Sequence, residues 1–447
     1  MTGHLRGINY YLIGIILFHN VFPVKPIMGM PVAPENLFYF LGMILVLYNF
    51  KHDPPRDRTI IRVIFLFAIF HLAVFLVFFM FIPRESYPLF KPFKNVLFFL
   101  LVLQVTEERD YISLLRFYLF LLSLEAVLSL LALYVGGVFQ SIFNLFAVDP
   151  EADQTLFMKG RLAGFTGKIF LFAYPLSVMP ILALTFYKVS RKNHYLFLFF
   201  LAVFALILNG ERAALVFCMA IVVFLMTRWF KRNRKLVVLA MLTILAFSAF
   251  NQVLMKAEVR HAILRLRDSS SDEIQWRLAK QAAMVIVVLR HPIEGGQKNI
   301  EEYRGLFRSW SGFYPTQPHN AYINMGMYAG VFGWIILAIF IASMRRIKRR
   351  VDRMKTQRQP LSIFVEGNFW ALMAVMSVSL FHNAGLFDGE RSAVILLGLL
   401  FSVTNRKKRL NSGIIEKEMG NLSLGKPPIK SMPEIGPVGA GRGGRYL

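Results

Sequence analysis

Apolar residues along this chain fall into runs of roughly 15 to 25, separated by shorter polar and basic stretches, the length a helix needs to cross about 30 Å of hydrocarbon. Runs such as 60–82 are apolar on every helical face, which excludes the short alternating strands of a β-barrel. The pattern predicts an all-α, polytopic integral membrane protein of about twelve transmembrane helices. The expected spans are 8–22, 36–50, 60–82, 93–106, 111–135, 166–187, 194–209, 211–230, 236–255, 319–344, 363–384 and 387–404. Residues 1–22 resemble a signal sequence without a small-x-small cleavage site, so they read as an uncleaved first span.

The connections divide the chain. Residues 1–255 hold the first nine spans, 256–318 form one long loop, 319–409 hold the last three spans, and 410–447 lose apolar periodicity and read as a disordered cytoplasmic tail. Long loops in compact proteins are usually functional. Within this one, Asp272 to Leu289 has the spacing of an amphipathic helix, with serines 269–271 as candidate caps and His291-Pro292 at its close. A second, moderately long outer loop covers Gly136 to Phe165.

Composition narrows the class without changing it: 56% hydrophobic and 15% aromatic residues against 17% charged suit a membrane, not a soluble domain. The net charge of +25 would suit nucleic acid if it formed a recognition module, but the cations sit in alternate connections. Arg345, Arg346, Lys348, Arg349, Arg350, Arg353, Lys355 and Arg358 form one cluster, and Arg406 to Arg409 supply another. By the positive-inside rule they put both termini in the cytoplasm and the long loop in the periplasm of a bacterial inner membrane. Their role is topological, with anionic membrane lipids as neighbours and no nucleic-acid partner. Cys218, the single cysteine, lies in an apolar run, so neither a disulfide framework nor a cysteine metal site is expected.

Polar residues near span ends carry the candidate chemistry, because they are costly there unless they face protein or water. Asn209-Gly210-Glu211-Arg212 interrupts a long apolar stretch and puts an arginine at the outer surface. Arg212 suits a phosphate through two parallel hydrogen bonds; the alternatives are a pair with Glu211 or snorkelling to headgroups. In the long loop, Arg277 and Lys280 share a helix face, and Arg290 and His291 end it; either pair could take an anion. His319-Asn320, just before the tenth span, could deprotonate a sugar hydroxyl, or His319 could cap the helix. His382-Asn383, near Asp388, Glu390 and Arg391, could share that cavity or satisfy a buried helix end. His71 and Glu125 read as interhelical hydrogen-bonding groups. No cluster has metal-site spacing and no phosphate-cradling loop occurs, so neither metal nor nucleotide cofactor is expected.

Four segments together resemble the O-antigen ligase and polymerase superfamily, which includes ligases, Wzy-type polymerases and protein O-oligosaccharyltransferases. Gly160-Arg161-Leu162-Ala163-Gly164 is similar to its Gly-Arg-Leu-x-Gly segment, and Gly210-Glu211-Arg212-Ala213 stands at its Ser-Arg-Gly hairpin with Glu211 replacing Ser. Arg277 to Gln281 followed by Arg290 to Gly296 resembles its Arg-x-x-x-Trp and His-Pro-x-x-Gly-x-Gly pattern, with Gln281 for Trp and Gln297 for the last Gly. His319-Asn320-Ala321-Tyr322, with Gly330 and Gly333 downstream, matches His-Asn-x-Tyr and a later Gly-x-x-Gly, with Tyr328 where Glu is common.

The resemblance, most like a ligase, implies a GT-C-like glycosyltransferase. It would move a glycan from an undecaprenyl-pyrophosphate donor to a sugar hydroxyl of the lipid A core, without a metal and with inversion. Arg212 and Arg277, with Arg161, would neutralise the pyrophosphate, and His319 would be general base. Asn320, Tyr322, Arg290 and His382 would line the substrate. A polymerase using the same donor is the nearest alternative. A lipid-linked oligosaccharide flippase would instead need polar groups near the bilayer midplane.

Overall fold

The computed structural model describes residues 3–22, 35–52, 61–62, 65, 68–69, 90–105, 107–146, 162–165, 169–229, 271–296, 300–305, 319–356, 361–382 and 390–404. Most of span 60–82, span 236–255 and the tail from 410 lie outside the described residues, as do His71, Arg161, Asn383 and Asp388.

Among the described residues all regular structure is helical. The helices are α1 Gly3–Val21, α2 Glu35–His52, α3 Phe90–Leu103, α4 Glu108–Tyr134, α5 Val138–Phe146 and α6 Ile169–Ser190. They continue with α7 Asn193–Asn209, α8 Arg212–Trp229, α9 Ser271–Arg290, α10 Ala321–Thr356, α11 Ser362–Val378 and α12 Arg391–Thr404. A short 3-10 turn covers Ile300–Tyr303. Four helices, α4, α6, α8 and α10, are long and apolar enough to cross a membrane, and six shorter apolar helices accompany them. The described residues are all-helical and fit a membrane protein, and nearly every described helix begins and ends close to where hydropathy puts it.

The central pile is α6, flanked by α7, α8 and α11, with α12 joining α11 to α3. Pro175 and Pro180 lie inside α6. The thiol of Cys218 reaches one of these turns, 3.3 Å from the Ser177 carbonyl. Asn368 ties three helices, donating to Tyr111 Oη at 3.0 Å and to the Leu396 carbonyl at 3.1 Å. Tyr111, Tyr118, Tyr174, Phe172 and Phe186 fill the interior.

Two features depart from the expected spans. The basic stretch 345–356, expected as a connection, continues α10 as helix. Ile347 and Val351 bury one stripe of it, Met354 packs beside them, and Lys348 and Asp352 pair one turn apart on another side. Conversely, the apolar run that reads as one span is broken at Ala329 and Gly330, where φ/ψ are −127°/16° and 59°/−151°.

Side-chain ties fix which helix ends lie together. Arg391 donates to the Asn20 carbonyl at 3.1 Å, the Ala321 N–H to the Ser379 carbonyl at 2.9 Å, and the Leu162 N–H to the Leu208 carbonyl at 3.3 Å. At the opposite end Lys188 reaches the Trp229 carbonyl at 2.6 Å, and Arg228 and Lys355 both reach Glu366 at 3.1 Å.

Candidate functional site

The turn between α7 and α8 is tight because Gly210 adopts φ 72°, a left-handed cap that a side chain would strain. Its neighbour Asn209 is fully buried and donates to the Leu162 carbonyl at 2.7 Å. Residues 162–165 are held from the other side as well: Glu125 of α4 accepts the Phe165 N–H at 3.1 Å. Gly164, at φ 65°, leaves room for the Phe172 ring. Residues 162–165 are therefore sewn between α4 and the α7–α8 turn. Glu125, expected to hydrogen-bond to another span, accepts instead from the Phe165 backbone outside the helices.

Arg212 opens α8 and is half-buried. Among the described residues no hydrogen bond or ion pair engages its guanidinium. The expected alternative, a pair with Glu211, is not what forms. Glu211 instead brings Oε2 within 3.1 Å of Nε2 of His382, beyond the end of α11. The approach is close but not aligned as a hydrogen bond, since His382 Nε2 makes none. The Tyr174 ring meets the His382 ring edge-on at 6.1 Å.

His319 is exposed and left-handed, with φ 50°, a conformation histidine tolerates better than most residues. Asn320, not His319, caps α10: its Oδ1 accepts the N–H groups of Tyr322 at 3.0 Å and Ile323 at 3.2 Å. The Tyr322 hydroxyl donates to the Met376 carbonyl of α11, and its own carbonyl accepts from Trp334 Nε1 at 3.1 Å. These two residues fasten the helix start. The bond from Ala321 to Ser379 puts that start on the same end of the bundle as His382 and the Glu211-Arg212 turn.

The loop after α9 docks into the break of α10. The Pro292 carbonyl accepts the Val331 N–H at 2.8 Å, immediately past the break. A Cβ on Gly330 would strike that carbonyl, and one on Gly295, at φ 75°, would strike the Met327 carbonyl. Ala283, Met284, Val287 and Val288 of α9 bury against Met327, with Ile300 closing the cluster. The His-Pro-x-x-Gly-Gly and Gly-x-x-Gly motifs are thus two halves of one joint. Arg290 lies over the Tyr303 ring at 5.6 Å, and His291 Nε2 is 3.0 Å from Tyr303 Oη. Arg277 belongs to α9, six residues after its start at Ser271. Lys280, one turn later, is buried.

The structure brings together the turn at Arg212, the His319-Asn320 helix start and His382. Arg161 lies outside the described residues, adjoining the tied segment at Leu162. Sequence reasoning missed Tyr303, whose position in an unpatterned loop gave no signal, and the partnership of Glu211 with His382, which pairs residues far apart in the chain.

The family described as O-antigen ligase matches residues 197–338, about a third of the chain. That match supports the O-antigen ligase superfamily. No curated protein matches the chain. The O-antigen ligase region starts within α7 and ends within α10, so it spans the Arg212 turn, all of α9, the docked loop and the His319 helix start. Members of this family are ligases or polymerases of glycosyltransferase type, working on glycans and lipid-linked substrates at a membrane. His382 and the 162–165 segment fall outside the O-antigen ligase region yet pack against it.

Proposed function

We propose that the protein is an O-antigen ligase, transferring a glycan from undecaprenyl pyrophosphate to a hydroxyl of the lipid A core at the periplasmic face of the inner membrane. The observation that carries this reading is the sharing of one bundle end by an uncommitted Arg212 and the His319 helix start, inside the matched region. The acceptor oxygen attacks the anomeric carbon as the bond to the pyrophosphate oxygen breaks. His319 takes the hydroxyl proton, and Arg212 and Arg277, with Arg161, receive the charge that develops on the leaving group. Attack and departure on opposite faces invert the configuration. Asn320 and Tyr322 hold His319 at the substrate, and Arg290 borders the glycan.

Purified His319→Ala and Arg212→Ala should lose glycan transfer by at least about 100-fold while eluting as folded protein. Wild-type transfer by either folded variant removes the assignment. A deletion strain that builds long polymer without attaching it to lipopolysaccharide supports the ligase; one limited to single repeats makes the protein a polymerase.

A further inference from the structure

The short turn Ile300–Tyr303 folds back on the end of α9: Ile300 is buried in the cluster around Val287 and Val288, and Tyr303 packs at its edge. This sets the Tyr303 ring beside the two residues that close the helix. The exposed Arg290 guanidinium lies over the ring, 5.6 Å from its centroid. His291 meets the ring edge-on, with centroids 5.7 Å apart and planes at 84°, and its Nε2 shares a 3.0 Å hydrogen bond with the Tyr303 hydroxyl. The His291 backbone is fixed in turn, its N–H donating to the Val287 carbonyl and its carbonyl accepting the Gly295 N–H, both at 3.0 Å. An arginine at a surface ordinarily samples many rotamers, and an aromatic ring under its guanidinium narrows that freedom without supplying an acceptor for its N–H groups. Among the described residues no hydrogen bond or ion pair engages those donors. A guanidinium held in this way keeps its planar fork open to an oxyanion, with part of the ordering already in place before binding.

We infer that Tyr303 is a positioning residue that holds Arg290 as the receptor for a phosphate group of a lipid-linked substrate. Tyr303 does not touch the phosphate; it acts through Arg290, and His291 fixes the ring through its hydroxyl. Arg290 stands just before the loop that enters the α10 break, so the joint carries a charged subsite as well as a fold contact. The inference rests on the transferase reading for the choice of phosphate-bearing lipids.

The test is a double-mutant cycle on the full chain in detergent, read as affinity for two probes measured separately, undecaprenyl pyrophosphate and a phosphorylated lipid A core. Arg290→Gln should weaken one of them about tenfold, and the probe affected tells whether the phosphate belongs to donor or acceptor. Tyr303→Leu should weaken the same probe about three- to fivefold. The double variant should match Arg290→Gln to within about twofold, because the ring has nothing to hold once the guanidinium is gone. Tyr303→Phe keeps a ring under the cation and should bind within about twofold of wild type. Where the leucine variant does not fold, Tyr303→Met, unbranched and adaptable in packing, takes its place with the same expected loss. Unchanged affinity of Arg290→Gln for both probes overturns the inference, as do losses that add in the double variant or a wild type that binds neither lipid. Glycan transfer on the same samples separates the two ideas. Coupled binding losses in a protein that transfers no glycan sink only the transferase, and normal transfer by Arg290→Gln at limiting donor and acceptor sinks only the subsite.

Discussion

Two arginines of α8 stand in opposite situations. Arg228, in its last turn, has Nε 3.1 Å from Glu366, a carboxylate 1% exposed that also receives Lys355 at 3.1 Å and Trp229 Nε1 at 2.9 Å. Arg212, in its first turn, has no such partner among the described residues. A buried carboxylate that accepts two hydrogen bonds and pairs with Arg228 holds helix ends together, and deleting it strands two cations around an apolar gap. Glu366→Ala should therefore lower stability by about 1 to 3 kcal/mol, measured as a lower unfolding midpoint in detergent. Transfer per folded molecule should stay at the wild-type level, because this cluster lies at the end away from Arg212. The sequence distinguishes the arginines only by neighbourhood: basic connections on one side, an isolated turn on the other. Arg228's partner lies in another helix far along the chain, so its commitment was not readable, and neither was the turning of Glu211 toward His382.

At the scale of elements, α10 carries the clearest difference between pattern and structure. Its apolar run passes through Ala329 and Gly330 without a polar interruption, so hydropathy reads a single span. The chain breaks there because the Pro292 carbonyl enters at that height and Gly330 adopts φ 59°, ψ −151°, a region almost closed to other residues. Gly330→Ala should cost about 1 to 3 kcal/mol for backbone strain alone, besides forcing the Pro292 loop out. Transfer should fall with it, since the loop joins α9, which carries Arg277, to the helix that begins beside His319. A variant with unchanged midpoint and unchanged transfer would show that the joint is not needed. The amphipathic helix at 271–290, by contrast, was legible almost to the residue, because apolar spacing, a terminal Pro and serine caps all agree there.

For the whole molecule the two ends are chemically distinct. One gathers buried ion pairs and lysine and arginine, and the other gathers Arg212, His319, His382 and the docked loop. If guanidinium groups supply the charge for the leaving pyrophosphate, no divalent ion is required in that role. Transfer by purified protein should then persist undiminished in a strong chelator; activity lost on chelation and restored by magnesium would reject the arginine mechanism.

The amino-acid sequence alone determined the helical membrane class, the approximate helix limits and the family motifs, because each is a local property: a run's length and hydropathy, or a few residues at fixed spacing. Only the tertiary structure decided which of those motifs touch. The docking of residues 291–296 into the α10 break, the clasp around Glu366 and the contact of Glu211 with His382 all depend on distant segments meeting at angstrom distances. A linear pattern records what each segment can offer, and packing selects the partner that receives it.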